Sequence, residues 1–147
     1  MIYDKATWHL NGQYPQDVSP SQAYLHTGLF LGWAINNNLI SEEFIEEIGD
    51  ELQRFHNSEL SGPQLFEITD GVFNSDILNE LGNRFTVDYY VPSYFNDYSD
   101  TLCRGLTSPY HVMDTAENFA AISRLLDNRF AEWRRNHSIV SNNETKA

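Results

Sequence analysis

The chain is short of cysteine, of basic residues and of long apolar runs, and each shortage narrows what it can be. Its 147 residues hold one cysteine, Cys103, which leaves no intramolecular disulfide and fits a reducing compartment. Lysine and arginine number 9 against 21 aspartates and glutamates, for a formal charge of −12. Nucleic acids and anionic membrane surfaces are polyanions, so an acidic body repels both. No window reaches the roughly 18 uninterrupted apolar residues of a membrane span. The opening MIYDKATWHL has no basic lead before an apolar run. No signal peptide is therefore expected, and a cytoplasmic location is the default. A glycine-rich phosphate loop, a GxSxG elbow, an HExxH pair and a paired-cysteine zinc site are all missing. No cofactor is indicated, no residue is marked as catalytic by motif, and Cys103 reads as a small structural residue.

What is present suits a globular fold, with 41% hydrophobic and 14% aromatic residues. The expected class is mainly all-α: one domain over residues 1–138, built from five or six helices around a central apolar one. A polar tail is expected over 139–147. Residues 1–18 form an aromatic arm, with Tyr3, Trp8, Leu10 and Tyr14 around an Asn11-Gly12 turn signal. It should pack on the body in extended or hairpin form, and a minor β element could come from it or from 84–91.

The organising stretch is Ser19–Leu39, SPSQAYLHTGLFLGWAINNNL, which carries no formal charge. Ser19 as cap, Pro20 at the first position and Gln22 at the third read as a capping box. Gly28 and Gly32 each disfavour a helix by about 1 kcal/mol against alanine, so a close backbone approach is expected on their side. Ser41 caps an amphipathic helix over 42–56, apolar at Phe44, Ile45, Ile48, Leu52 and Phe55. A shorter helix follows Ser61, and another runs over 76–81 before a break at Gly82-Asn83. Residues 84–103 mix aromatic and β-branched side chains. They read as helical, with Pro92 opening a second segment after a break. The last helix should start from Asp114 as cap with Glu117 behind it.

Charge is uneven. Residues 1–100 hold 16 acids and three bases, while 101–147 hold five acids and six bases. The acids Glu43, Glu46, Glu47, Asp50 and Glu51 crowd one helix. Asp88, Asp97 and Asp100 sit among Tyr90, Tyr94 and Tyr98, a mixture suited to receiving lysine or arginine. These eleven residues are the expected partner-binding set, and a basic protein is the expected partner. An alternative is a metal or enzyme site from Asp4, His9 and His26, if the arm brings the first two onto the central helix. No HxH or HxxxH spacing supports it, and a histidine on an apolar face is more often a satisfied core residue.

Three segments, YDKATWH (3–9), HTGLFLGWAINNNLIS (26–41) and LNELGNRFTVDYY (78–90), together resemble an uncharacterised bacterial family of small acidic cytoplasmic proteins opening on YDKAxWH. The likeness covers about residues 1–135. The family has no assigned activity, so it implies no catalytic residues. Its small, acidic make-up is similar in type to immunity proteins that neutralise secreted toxins. The function expected from the sequence is therefore a non-enzymatic immunity protein that occludes a basic toxin.

Overall fold

Residues 25–35 are buried without interruption, so the central helix has no solvent face. The computed structural model describes residues 1–137, and the tail expected over 139–147 lies outside the described residues. The fold is mainly helical with one two-stranded sheet. No helix among the described residues is long and apolar enough to cross a membrane.

The central stretch divides into a 3-10 helix, Pro20–Tyr24, and helix α2, Leu25–Asn36. Ser19 caps the first, its hydroxyl accepting from the Ser21 amide. Gln22 does not close a capping box. Its side-chain amide donates instead to the carbonyls of Tyr110 and Val112, tying down a loop whose Val112 is fully buried. Gly28 makes the close approach expected of it. It lies on Gly62 and Pro63, where helix α5 (Gly62–Ile68) begins, and a Cβ on either glycine would overlap the other chain segment. Gly32 faces the Phe119 ring.

The helix expected over 42–56 is two helices, α3 (Glu42–Glu47) and α4 (Gly49–His56). Ile48 leaves helical geometry with φ −110° and ψ 27°, and a glycine, the weakest ordinary helix former, follows it. The bend lets Phe44 and Ile48 both reach the core. Ser61 and Gln64 form a reciprocal capping box at α5. Asp70 and Gly71, both at positive φ, end that helix.

The β element comes from the arm. Strand β1 (Ile2–Lys5) pairs antiparallel with β2 (Val72–Asn74), with Asp4 opposite Phe73 and an irregularity between Ile2 and Asp4. A short helix, α1 (Ala6–Leu10), follows β1 directly. Residues 84–91 are helical, and Pro92 does not break the chain. Helix α6 (Glu80–Phe85) runs through a π-helical stretch, Thr86–Tyr94, into α7 (Phe95–Leu102). Proline has no amide hydrogen and crowds the carbonyl one turn back. A locally wider helix accommodates it, as π turns do within α-helices. The wider turn aligns residues four apart: Tyr90 stacks on Tyr94 at 4.8 Å, and Phe85 on Tyr89 at 5.1 Å. Phe30 of α2 meets Tyr90 and Tyr94 edge-on, which locks this helix against the centre. Helix α8 (Ala116–Asn136) is capped by Thr115, whose hydroxyl accepts from Asn118. Asp114 is not its cap, because it accepts a hydrogen bond from Ser61.

Candidate metal centre

Three local structures converge on one point. Strand β1 carries Asp4, and the tight β1–α1 junction brings His9 of α1 back over the same carboxylate. The first turn of α2 supplies His26 and Thr27, and the π stretch supplies Tyr90. His9 Nε2 lies 2.8 Å from Asp4 Oδ1, and His26 Nε2 lies 3.1 Å from Asp4 Oδ2. The two Nε2 atoms are themselves 3.1 Å apart. Tyr90 donates its hydroxyl to Asp4 Oδ2 at 2.6 Å, and the Thr27 hydroxyl lies 2.7 Å from that of Tyr90. The Lys5 amide donates to Asp4 Oδ1.

The electrostatics suit a cation. Burial works to raise the Asp4 carboxyl, but hydrogen bonds from His26, His9 and Tyr90 outweigh it and hold the group far below the usual carboxylate range. Burial dominates at His26 and pushes its imidazole below the usual histidine value against the pull of Asp4. At neutral pH the pair is a carboxylate beside a neutral imidazole, the forms that ligate metals.

The hydrogen-bonding capacity of these groups conflicts with their spacing. An ionised carboxylate only accepts, and a neutral imidazole has one donor and one acceptor nitrogen. The two N···O contacts each require a hydrogen on Nε2. The two nitrogens, 3.1 Å apart, would then both be donors, with neither left to accept from the other. Removing either leaves a lone pair facing the carboxylate. With the carboxylate ionised, no proton placement makes all three contacts hydrogen bonds, whereas one cation between three lone-pair donors answers all of them. Zinc–nitrogen bonds of about 2.0–2.1 Å give a tetrahedral edge of about 3.4 Å, so the cluster needs to open by only a few tenths of an ångström.

The outer contacts orient these ligands. His9 Nδ1 lies 2.6 Å from the Tyr110 hydroxyl, which leaves Nε2 free to point inward. Tyr94 donates to the His26 carbonyl at 2.6 Å, fixing the helix turn that carries the ring. The His9 side chain is 18% exposed and that of His26 is 2%. An ion would therefore enter past His9.

The expected metal alternative thus has its three residues in one cluster, the one group of this kind found among the described residues. The expected partner set is not one surface. Glu43, Glu46, Glu47 and Asp50 are exposed on α3 and α4, with Glu51 half-buried. Tyr90, Tyr94 and Tyr98 are buried, so they are not available to a partner at the surface. Their spacing reads inward, because the helix that bears them packs its aromatic stripe on α2. Asp97 accepts from Tyr89 and pairs with Arg129 at 3.0 Å. Asp88 accepts from Trp133. Asp100 is exposed. Sequence reasoning missed Thr27, Tyr90 and Tyr110 as supports of the cluster. The sole signal was the tyrosine repeat at four-residue spacing.

The molecule is thus a mainly helical protein with a histidine–histidine–aspartate cluster where its N-terminal arm meets its central helix. Residues 2–112 match the family described as Domain of unknown function (DUF7832), and the chain belongs to that family. That span includes the whole cluster. No curated protein and no solved structure matches the chain.

Proposed function

We propose that this protein binds one divalent transition-metal ion through Asp4, His9 and His26. The observation that carries it is the trio of contacts at 2.8, 3.1 and 3.1 Å, which cannot all be hydrogen bonds while Asp4 is ionised. Two histidines and one carboxylate with further positions open are a ligand set used by catalytic zinc and by non-haem iron. Zinc is the simplest occupant, since it takes this set without a change in oxidation state. The ion would join the arm to the central helix. On this reading the YDKATWH segment is a signature because it supplies two of three ligands, and bacterial members of the family opening on YDKAxWH would hold the same ion.

The test is calorimetric titration of zinc into chelator-stripped protein. One equivalent per chain should bind, and His9→Ala should abolish binding. His9 lies at the rim, so this variant should fold, and circular dichroism checks that. Absence of binding at micromolar zinc, or equal binding by folded His9→Ala, sinks the proposal.

A second reading, an immunity protein that neutralises a basic toxin in the cytoplasm, is favoured by a different observation. Glu43, Glu46, Glu47 and Asp50 are exposed, and among the described residues none of them forms an ion pair. Uncompensated charge steers encounter with an oppositely charged protein. A pull-down against the products of neighbouring genes should capture a basic partner, and reversing those four charges should remove it and its salt dependence.

A further inference from the structure

A groove of about 630 Å³ runs between α3–α4 and strand β2. Its charged lining residues are all acidic: Glu43, Glu47, Glu51, Asp70 and Asp76. Its floor is apolar, with Phe44 and Ile48 from the core and Ile68, which is 50% exposed. One wall is the outer edge of β2, where Val72 and Asn74 both line the groove.

The register of the sheet shows which way that edge faces. The Ala6 amide donates to the Gly71 carbonyl at 3.0 Å, and the Ser75 amide donates to the Met1 carbonyl at 2.8 Å. Phe73 sits between them opposite Asp4. Residues 71, 73 and 75 thus turn their backbone groups toward β1. In an antiparallel ladder the alternate residues turn theirs away. Val72 and Asn74 therefore present amides and carbonyls outward, into the groove. Among the described residues the sheet has no third strand to meet them.

We propose that this groove receives an extended, basic segment of a partner protein as an added strand on β2. Backbone bonds to Val72 and Asn74 hold the segment, alternate apolar side chains rest on Phe44, Ile48 and Ile68, and lysine or arginine side chains meet the acidic rim. Unpaired edges recruit strands in this way, with pockets for alternate side chains setting the sequence. Nucleic acid and acidic peptides are excluded by the charge of the rim. The proposal rests on the basic-partner reading above, not on the metal, and adds where such a partner docks and in what conformation.

The probe is a short acetylated peptide alternating lysine and valine, followed by fluorescence anisotropy. The control alternates lysine and proline, with equal charge but half its amide hydrogens removed. The valine peptide should bind at least about tenfold more tightly, since it alone adds backbone and apolar contacts. It should also shift the Val72 and Asn74 amide resonances. The triple variant Glu43→Gln, Glu47→Gln, Glu51→Gln, altered only at the groove's rim, should weaken it about tenfold for the loss of three rim ion pairs. If both peptides bind equally and both weaken in the triple variant, the acidic surface stands and the added strand is wrong. If neither binds, or the triple variant binds both unchanged, the strand and the basic-partner reading fall together. Unmoved Val72 and Asn74 amides in a bound complex also overturn the strand.

Discussion

Asp4 and Glu47 carry the same chemical group, and the fold treats them in opposite ways. Asp4 is 8% exposed and takes contacts from two imidazoles, a tyrosine and a backbone amide. Glu47 stands in solvent on α3, and among the described residues it has no ion pair. The two regions nevertheless share one piece of secondary structure. β1 carries Asp4, and its partner β2 borders the groove that Glu47 overlooks. A net charge of −12 does not separate these roles, but environment does. A buried carboxylate is held by directed contacts, and its removal is felt throughout the fold. Exposed carboxylates contribute little to stability and keep their field for something that arrives.

Removing the buried member should have the largest effect. Asp4→Ala leaves His9, His26 and Tyr90 without their shared acceptor in the interior. Breaking such a network costs about 3 kcal/mol, read as a lower midpoint in urea unfolding. A loss below about 0.5 kcal/mol would make Asp4 as dispensable as a surface acid and erase the contrast. Metal comes next. Zinc at a hundredfold excess over its dissociation constant should stabilise the stripped protein by about 2.7 kcal/mol, through mass action on the folded state alone. The gain should vanish in His9→Ala and persist in Glu47→Gln. Tyr90→Phe is smaller again. It deletes one charge-assisted hydrogen bond to Asp4 while keeping the ring that stacks on Tyr94, at a cost of about 1.5 kcal/mol.

The sequence made some of this contrast legible. The uncharged run at 19–39 marked the centre, because an element with no polar face must be buried on all sides. Gly28 marked a close crossing for a related reason, since a glycine inside a helix is costly and close backbone approach is one return for it. Asp4, His9 and His26 could be nominated by residue type, but no short spacing joined them. Their meeting depends on β1 pairing with a strand some 70 residues away. The tyrosines at 90, 94 and 98 read by composition as part of a surface, and they are buried. They look amphipathic in composition, yet Tyr90 and Tyr94 on the widened stretch and Tyr98 on α7 form one stripe that packs on Phe30 and His26. The split at Ile48 was hidden because Phe44, Ile48 and Leu52 keep helical periodicity through a bend.

The smallest expected effect is also the sharpest check on the exposed side. Glutamine at Glu43, Glu47 and Glu51 removes three like charges held near one another on consecutive helical turns. Nothing in the fold loses a partner, since among the described residues none of the three has an ion pair. Relief of mutual repulsion offsets the loss of Glu43 near the positive N-terminal end of α3. Stability should therefore stay within about 0.5 kcal/mol of the parent in thermal or urea unfolding, as for ordinary surface changes. Zinc affinity should be unchanged as well, because the ligands Asp4, His9 and His26 are all intact. A larger destabilisation would mean that these acids hold the fold together, as Asp4 does. The groove would then be a structural feature and no longer a surface left free for a partner.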